Sequence, residues 1–292
     1  MKVVVNLNGV IKGANKATVS VFDHGFLYGD SIFETIIAYN GKPLCLKEHL
    51  ARLFRSAKSV YMKPIWSTEK YEREIKRTLA HFDKKNLQHI IRIILTRGVG
   101  PIGYNPKLCP KPTNIILVQE FSGQPQKFFS QGVPIWLVNR KRNSRDALNP
   151  AIKTGNLLNN ILAHIEAQKS GGFEAIMLNQ AGYITEGTTC NVFVVKNNVI
   201  KTPPLEAGIL AGITRKLVFK LARKARIKIK EVNLRPQDLF TSDECFLTST
   251  LKEIMPVTHC NKKRISNGKV GPMTQRLIHL YRGYVRKVLF LH

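Results

Sequence analysis

Acidic residues are the scarcest ingredient of this chain. Nineteen Asp and Glu stand against 46 Lys and Arg, a formal net charge of +27 over 292 residues. Such a surface attracts anionic ligands. It also raises the possibility of nucleic-acid binding, since basic surface supplies non-specific phosphate affinity. The basic residues are spread along the whole chain, however, and no nucleic-acid module accompanies them. The longest runs, Arg140-Lys141-Arg142 and Lys262-Lys263-Arg264, are short and are expected in loops. A solvated basic surface is the better reading, and a non-catalytic nucleic-acid-binding protein remains the alternative from another class.

Cysteine is also sparse. Cys45, Cys109, Cys190, Cys245 and Cys260 are odd in number, scattered and without a C-x-x-C pair. That argues against a disulfide framework or a zinc site and favours a reducing cytoplasm. No apolar run approaches the roughly 20 residues that span a bilayer. The opening Met1-Lys2-Val3-Val4-Val5-Asn6 turns polar too quickly for a signal peptide and reads as a first strand. There is no internal repeat and no low-complexity segment.

What is present is an ordinary globular composition, 43% hydrophobic, on a chain long enough for two domains. Short strands are expected at 3–5, 10–11 and 17–21. An apolar run over 31–38 ends in the turn signal Tyr39-Asn40-Gly41-Lys42. Leu46, Leu50, Leu53, Phe54 and Ala57 share one face of a predicted helix over 46–62. A second helix is predicted over 68–82, and buried strands over 90–95 and 114–118. The polar stretch that opens with Phe121-Ser122-Gly123-Gln124-Pro125 divides the chain into a smaller domain, 1–122, a linker, 123–131, and a larger domain, 132–292. In the second part, helices are predicted over 156–169, 212–224 and 272–289. Strands are predicted over 133–138, 174–178, 192–195, 199–201, 227–232 and 244–247. This order fits a two-domain α/β (α+β) fold with mixed sheets.

Chemistry concentrates in a few segments. Lys153 stands in Asn149-Pro150-Ala151-Ile152-Lys153-Thr154-Gly155-Asn156, between apolar and small residues. Partial burial there disfavours its charged form and leaves a nucleophilic amine. Thirty-three residues on, Glu186 lies in the Gly/Thr-rich turn Gly182-Tyr183-Ile184-Thr185-Glu186-Gly187-Thr188-Thr189. An amine that can form an imine and a carboxylate that can keep a pyridine nitrogen protonated are what pyridoxal phosphate chemistry needs. Ala207–Arg215 opens a helix with Thr214 in its first turn, where free N–H groups favour a phosphate. Thr248-Ser249-Thr250 adds hydroxyls at a strand end, and Arg52 offers a donor fork. The plain readings are a surface lysine, a solvated carboxylate, an N-cap and a helix-face arginine.

With Asp23-His24-Gly25-Phe26-Leu27-Tyr28-Gly29-Asp30-Ser31-Ile32-Phe33-Glu34-Thr35 and Glu48-His49-Leu50-Ala51-Arg52-Leu53 added, the chain resembles the fold-type IV pyridoxal-phosphate enzymes from about Asn8 to Tyr281. These are the branched-chain aminotransferases, D-amino acid aminotransferases and aminodeoxychorismate lyases. The resemblance implies that Lys153 forms the imine and shuttles the Cα proton, and that Glu186 pairs with the ring nitrogen. It implies that Arg52, Ile213 and Thr214 bind the phosphate, with Thr250 assisting, and that Thr189 and Ser249 also touch the cofactor. Phe33, Thr35, Arg92, Tyr28 and Thr188 become candidate substrate residues, and 98–109 and 126–131 candidate loops bordering the substrate. A homodimer or higher oligomer is implied, as is an amino group passing between an α-amino acid and a 2-oxo acid.

Within the family the signals divide. Arg92 lies in the strand His89-Ile90-Ile91-Arg92-Ile93-Ile94-Leu95. It either pairs with a carboxylate such as Glu34 or Asp30, or faces the site and receives a substrate carboxylate, as the matching arginine of branched-chain aminotransferases suggests. Leu157 stands where those enzymes carry a tyrosine and resembles the D-amino acid enzymes. The Arg and His that trap the carboxylate in the D-amino acid enzymes would fall on Ile102 and Tyr104, and so are absent. The segment Thr96–Tyr104 and Thr35 resemble the lyases. The expectation is an aminotransferase, branched-chain-like, with D-amino acid transamination and pyruvate-releasing lyase activity as alternatives.

Overall fold

The computed structural model describes residues 2–82 and 88–290 and divides into two compact units. One comprises Met1–Gly123 with Ile152–Asn156, and the other Gln124–Ala151 with Leu157–His292.

The first unit is a six-stranded sheet in the order β2-β1-β6-β5-β3-β4. Its strands are β1 (Val3–Leu7), β2 (Val10–Gly13), β3 (Ser31–Tyr39), β4 (Lys42–Pro43), β5 (Gln88–Thr96) and β6 (Thr113–Phe121). All of them pair antiparallel. The helices are α1 (His24–Tyr28), α2 (Leu46–Ser59) and α3 (Thr68–Leu79), the last capped by the Ser67 hydroxyl. Period-2 alternation divides the residues of the central strands between two faces. Ile32, Ile36, Ile91 and Ile93 join Leu50, Leu53, Tyr71 and Ile75 of the helices in one buried core. Each such aliphatic side chain contributes roughly 1.5–3 kcal/mol by leaving water. Phe33, Thr35 and Arg92 alternate onto the opposite face, with Thr35 and Arg92 directly paired.

The second unit is built on a nine-stranded mixed sheet in the order β12-β11-β10-β13-β14-β7-β8-β9, with β15 paired to β14. In chain order it runs α4 (Gln126–Gln131), β7 (Val133–Lys141), α5 (Leu158–Lys169), β8 (Glu174–Leu178), β9 (Ile184–Gly187), β10 (Asn191–Lys196) and β11 (Val199–Thr202). It continues with α6 (Ile213–Lys224), β12 (Ile229–Glu231), α7 (Pro236–Phe240), β13 (Glu244–Ser249), β14 (Glu253–Cys260), β15 (Lys263–Arg264) and α8 (Pro272–Phe290).

Several sequence expectations change. Residues 17–21 form no strand. Val19 and Val21 are exposed and no neighbouring strand pairs with them, so the local β propensity finds no partner. The stretch 126–131 is a helix whose Phe129 joins the second core. Glu186 sits in β9 rather than in a turn. The two basic runs are partly strand: Arg140 and Lys141 end β7, and Lys263–Arg264 form β15. β14 escapes sequence reading because Pro256 lies inside it. Pro256 faces Phe246 of β13, and the pairing to β7 starts only at Val257, so its missing N–H falls where no β7 residue is paired.

One turn in the first unit depends on a glycine. Gly98 has φ +109°, and a Cβ on it would lie 1.9 Å from the Lys111 carbonyl oxygen. Its own carbonyl accepts the His24 N–H at 2.9 Å, which fixes the start of α1 and thereby Tyr28. Gly98→Ala should therefore destabilise the protein by at least about 2 kcal/mol, from left-handed strain and backbone clash together. Urea unfolding checks this; an unchanged midpoint would contradict it.

Candidate functional site

Lys153 is carried on a short extended segment laid along the start of β3. Phe33 N–H donates to the Lys153 carbonyl at 2.9 Å, and Gly155 N–H donates to the Ser31 carbonyl at 2.7 Å. Ile32 and Thr154 form a bridge between the two. From the α2 side, the Ser56 hydroxyl accepts the Lys153 N–H at 3.2 Å. Ile152 packs on the first core, which anchors the residue before the lysine. Lys153 itself is half-buried, with Nζ 4.4 Å from the centre of the Phe33 ring.

Arg92 approaches the same ring, its Cζ 3.7 Å from the centroid, and donates to Thr35 Oγ1 at 3.2 Å. Burial lowers its pKa, and Glu34 nearby partly restores it. The carboxylates suggested as its partners are engaged elsewhere. Asp30 receives the Arg97 fork at 2.7 and 3.0 Å. Glu34 receives Arg52 Nε at 2.6 Å and Nη2 at 2.8 Å, and His49 Nδ1 lies 2.7 Å from its second oxygen. Of the two readings of Arg92, pairing with Glu34 or Asp30 thus gives way to stacking on Phe33. Tyr28 accepts the Gly103 N–H through its hydroxyl at 3.0 Å and packs edge-on to His24.

Glu34 is fully buried. Burial alone would raise its pKa, but hydrogen bonds from Arg52 and His49 and their charges bring it down to about 2. Burial also holds His49 below the usual histidine range against the pull of Glu34. Arg52 is therefore locked in orientation by a bidentate partner.

In the second unit, Glu186 is buried in β9. Its Oε1 accepts Arg142 Nε at 3.1 Å. Its Oε2 accepts the Leu210 N–H at 3.0 Å and Asn191 Nδ2 at 3.3 Å. Asn191 also donates to the Leu210 carbonyl at 3.0 Å. The start of α6 lies against the same asparagine: a Cβ on Gly212 would fall 2.0 Å from Asn191 Oδ1. Gly212 caps α6 without a side-chain hydrogen bond, and Ile213 and Thr214 are its first two residues. On β13, Thr248 faces Asn191 in register, and its buried hydroxyl has no hydrogen-bond partner among the described residues. Ser249 Oγ accepts the Lys252 N–H at 3.2 Å across the β13–β14 turn that contains Thr250. The hydroxyls of Thr188 and Thr189 both donate to Glu174, that of Thr189 at 3.0 Å.

Sequence reading passed over several of these groups. Arg142 was hidden in a basic run expected in a loop. Asn191, Glu174 and Lys252 carry no local signal, because their meaning comes from register between strands. Glu34 and His49 lie in segments already singled out, and their spacing to Arg52 on a strand and the facing helix was the available clue. Among the described residues no group of His, Cys, Asp or Glu is placed to hold a metal.

Comparison with known proteins gives a consistent result. The family model for amino-transferase class IV matches residues 31–260. A Methanocaldococcus jannaschii protein named "Putative branched-chain-amino-acid aminotransferase" is 41% identical over 273 residues, covering 94% of this chain and 93% of that one. A Bacillus licheniformis D-alanine aminotransferase is 32% identical, covering 94% of each. Among solved structures, the T.th. branched-chain amino acid aminotransferase with pyridoxamine 5'-phosphate superposes with a TM-score of 0.92. It is 28% identical, with 99% of this chain and 95% of that one covered.

The Glu34 pair predicts a pH dependence. The folded carboxylate stays ionised down to about pH 2, whereas the unfolded one protonates near its ordinary value of 4.5. Its stabilisation is therefore complete above pH 4.5 and is lost as pH falls from there toward 2. Glu34→Gln should cost about 3–5 kcal/mol near pH 7, because it leaves Arg52 buried without its counter-charge. The gap to wild type should narrow steadily below pH 4.5 in denaturant titrations. A gap that stays constant down to pH 3 would contradict the assignment.

Proposed function

The chain belongs to the class IV aminotransferases and is a transaminase of the fold-type IV group, and from that premise we propose that it moves an amino group between a branched-chain-like α-amino acid and a 2-oxo acid with pyridoxal 5'-phosphate. The observation that carries this reading is the Phe33 ring, which meets both an amine and a guanidinium fork, with Lys153 Nζ at 4.4 Å and Arg92 Cζ at 3.7 Å from its centre.

Each unit carries groups of the kind the cofactor needs. The first has a half-buried primary amine at Lys153; the second has a buried carboxylate at Glu186, a helix start at Gly212–Thr214 without a side-chain cap, and a buried Thr248 hydroxyl without a partner among the described residues. When bound, pyridoxal phosphate supplies an aldehyde for the amine and a ring that withdraws electrons from the substrate Cα. Lys153 Nζ would take the proton from Cα and return it. Glu186 would hold the proton on the ring nitrogen, kept in place by Arg142, Asn191 and the Leu210 N–H. Arg52, oriented by Glu34, would receive the phosphate together with the N–H groups of Ile213 and Thr214 and the Ser249 and Thr250 hydroxyls. Thr189 would act from the turn beside Glu186. Arg92 would receive the substrate carboxylate, with Phe33, Thr35, Tyr28 and Thr188 as further contacts.

The relative named as a D-alanine aminotransferase supports a second reading, transamination of D-amino acids. Incubation with panels of L- and D-amino acids and 2-oxoglutarate separates the two. The expected result is turnover of L-leucine, L-isoleucine and L-valine. Turnover of D-alanine alone favours the second reading, and turnover of no amino acid overturns both. Arg92→Met should raise KM for the amino acid about 10- to 100-fold with a smaller change in kcat, the loss of one or two charge-assisted hydrogen bonds. An unchanged KM would remove Arg92 from the substrate contacts.

Self-association is part of the proposal. Leu158, Ile161, Leu162 and Ile165 repeat at i, i+3, i+4 and i+7 along α5 and are between 36% and 67% exposed. Such an apolar stripe suits burial against a second copy. Sedimentation velocity should show a dimer or larger species that Leu158→Glu with Ile161→Glu dissociates; a monomeric wild type would contradict it. Among the described residues no helix is long and apolar enough to cross a membrane.

A further inference from the structure

Glu174 opens β8 and is 1% exposed, yet it is not among the groups that contact the proposed cofactor or substrate. Its Oε1 accepts the N–H of Ala175 at 3.0 Å, the N–H of Thr188 at 2.9 Å and the Thr188 hydroxyl. Its Oε2 accepts Lys252 Nζ at 2.8 Å and the Thr189 hydroxyl at 3.0 Å, and Cys190 Sγ lies 3.6 Å away. Lys252 Nζ also donates to Thr189 Oγ1. The lysine side chain is only 15% exposed, so both charges have been withdrawn from water.

The groups around this pair come from two turns. Residues 188–190 join β9 to β10, so Glu186 precedes that turn and Asn191, which donates to Glu186, follows it. Residues 250–252 join β13 to β14, directly after Thr248 and Ser249. Glu174 on β8 and Lys252 on the second turn hold the first turn between them. A buried ion pair is a poor source of net stability, since desolvation consumes most of the attraction and an apolar pair of similar size often does as well. What it supplies is a fixed distance between the elements it joins.

We propose that Glu174 and Lys252 are a positioning pair that locks the 188–190 turn to the 250–252 turn and so sets Glu186 and the Thr248–Thr250 hydroxyls at the spacing the cofactor requires. The proposal rests on the reading of Glu186 and Thr250 as cofactor contacts. Neither Glu174 nor Lys252 touches substrate or cofactor in it; they act through the two turns.

The test separates position from stability. Glu174→Gln, Lys252→Met and the double variant are compared with wild type by thermal unfolding of the cofactor-free protein and by fluorescence titration with pyridoxal phosphate. Each single variant leaves one buried charge without its partner and should lower Tm. The double variant removes both charges and should recover most of the lost Tm. Its affinity for pyridoxal phosphate should nonetheless stay at least tenfold below wild type, because the tie between the turns is gone. Recovery of both Tm and affinity would show a merely structural pair and overturn the proposal. If the double variant does not fold, Lys252→Arg decides. It keeps the charge and should bind within about threefold of wild type while Lys252→Met binds at least tenfold more weakly; equal affinities for the two would overturn the proposal. Wild type that fails to bind pyridoxal phosphate sinks the functional reading as a whole. Wild type and double variant that bind alike sink this inference alone.

Discussion

The pairing of residues 153–155 with the start of β3 is the contact on which the rest of the account depends. The chain on either side of Ile152–Asn156 belongs to the second unit, but these five residues belong to the first. Two backbone hydrogen bonds, one bridge and the burial of Ile152 hold them there. Backbone pairing suits this task because it fixes a main-chain position without using the lysine side chain. The side chain then meets Phe33, whose direction is set by the same strand that offers the pairing edge. Strand alternation does the remaining work: it puts Phe33 and Thr35 on the face of Arg92 and Glu34 on the face of α2.

Buried carboxylates are the second organising theme, and each is matched by donors from several elements. Glu34 is matched by Arg52 and His49, Glu186 by Arg142, Asn191 and the Leu210 N–H, and Glu174 by Lys252 and two threonines. Each of these three carboxylates is paired with a cation that is also withdrawn from water, so the pairs leave the balance of surface charge as it was. A buried carboxylate keeps its charge only if its partners match it in number and placement, so each of these residues transmits order to whatever it faces.

Much of the fold was legible in the sequence, and the exceptions share a cause. The apolar stripe of α2, the buried run of β5 and the helix predicted from residue 68 are local patterns, and the structure shows an element at each. Residues 17–21 had the local pattern without a partner strand. β14 had partner strands but concealed its pattern with Pro256. Lys153, Glu186 and Arg52 stood out because their neighbours are unusual. Arg142 did not, because its meaning comes from Glu186, 44 residues away. Glu174 and Lys252, 78 residues apart, were out of reach for the same reason. Long-range register, not composition, decides these contacts, and a single sequence does not encode register in any local window.

The claim that Lys153 is the reacting amine is the most direct target for experiment. Purified protein is incubated with pyridoxal phosphate, reduced with borohydride and mapped by peptide mass spectrometry. One stoichiometric phosphopyridoxyl addition is expected, on the peptide containing Lys153, and none on the Lys153→Ala variant. Labelling spread over several surface lysines, or undiminished in Lys153→Ala, would contradict it.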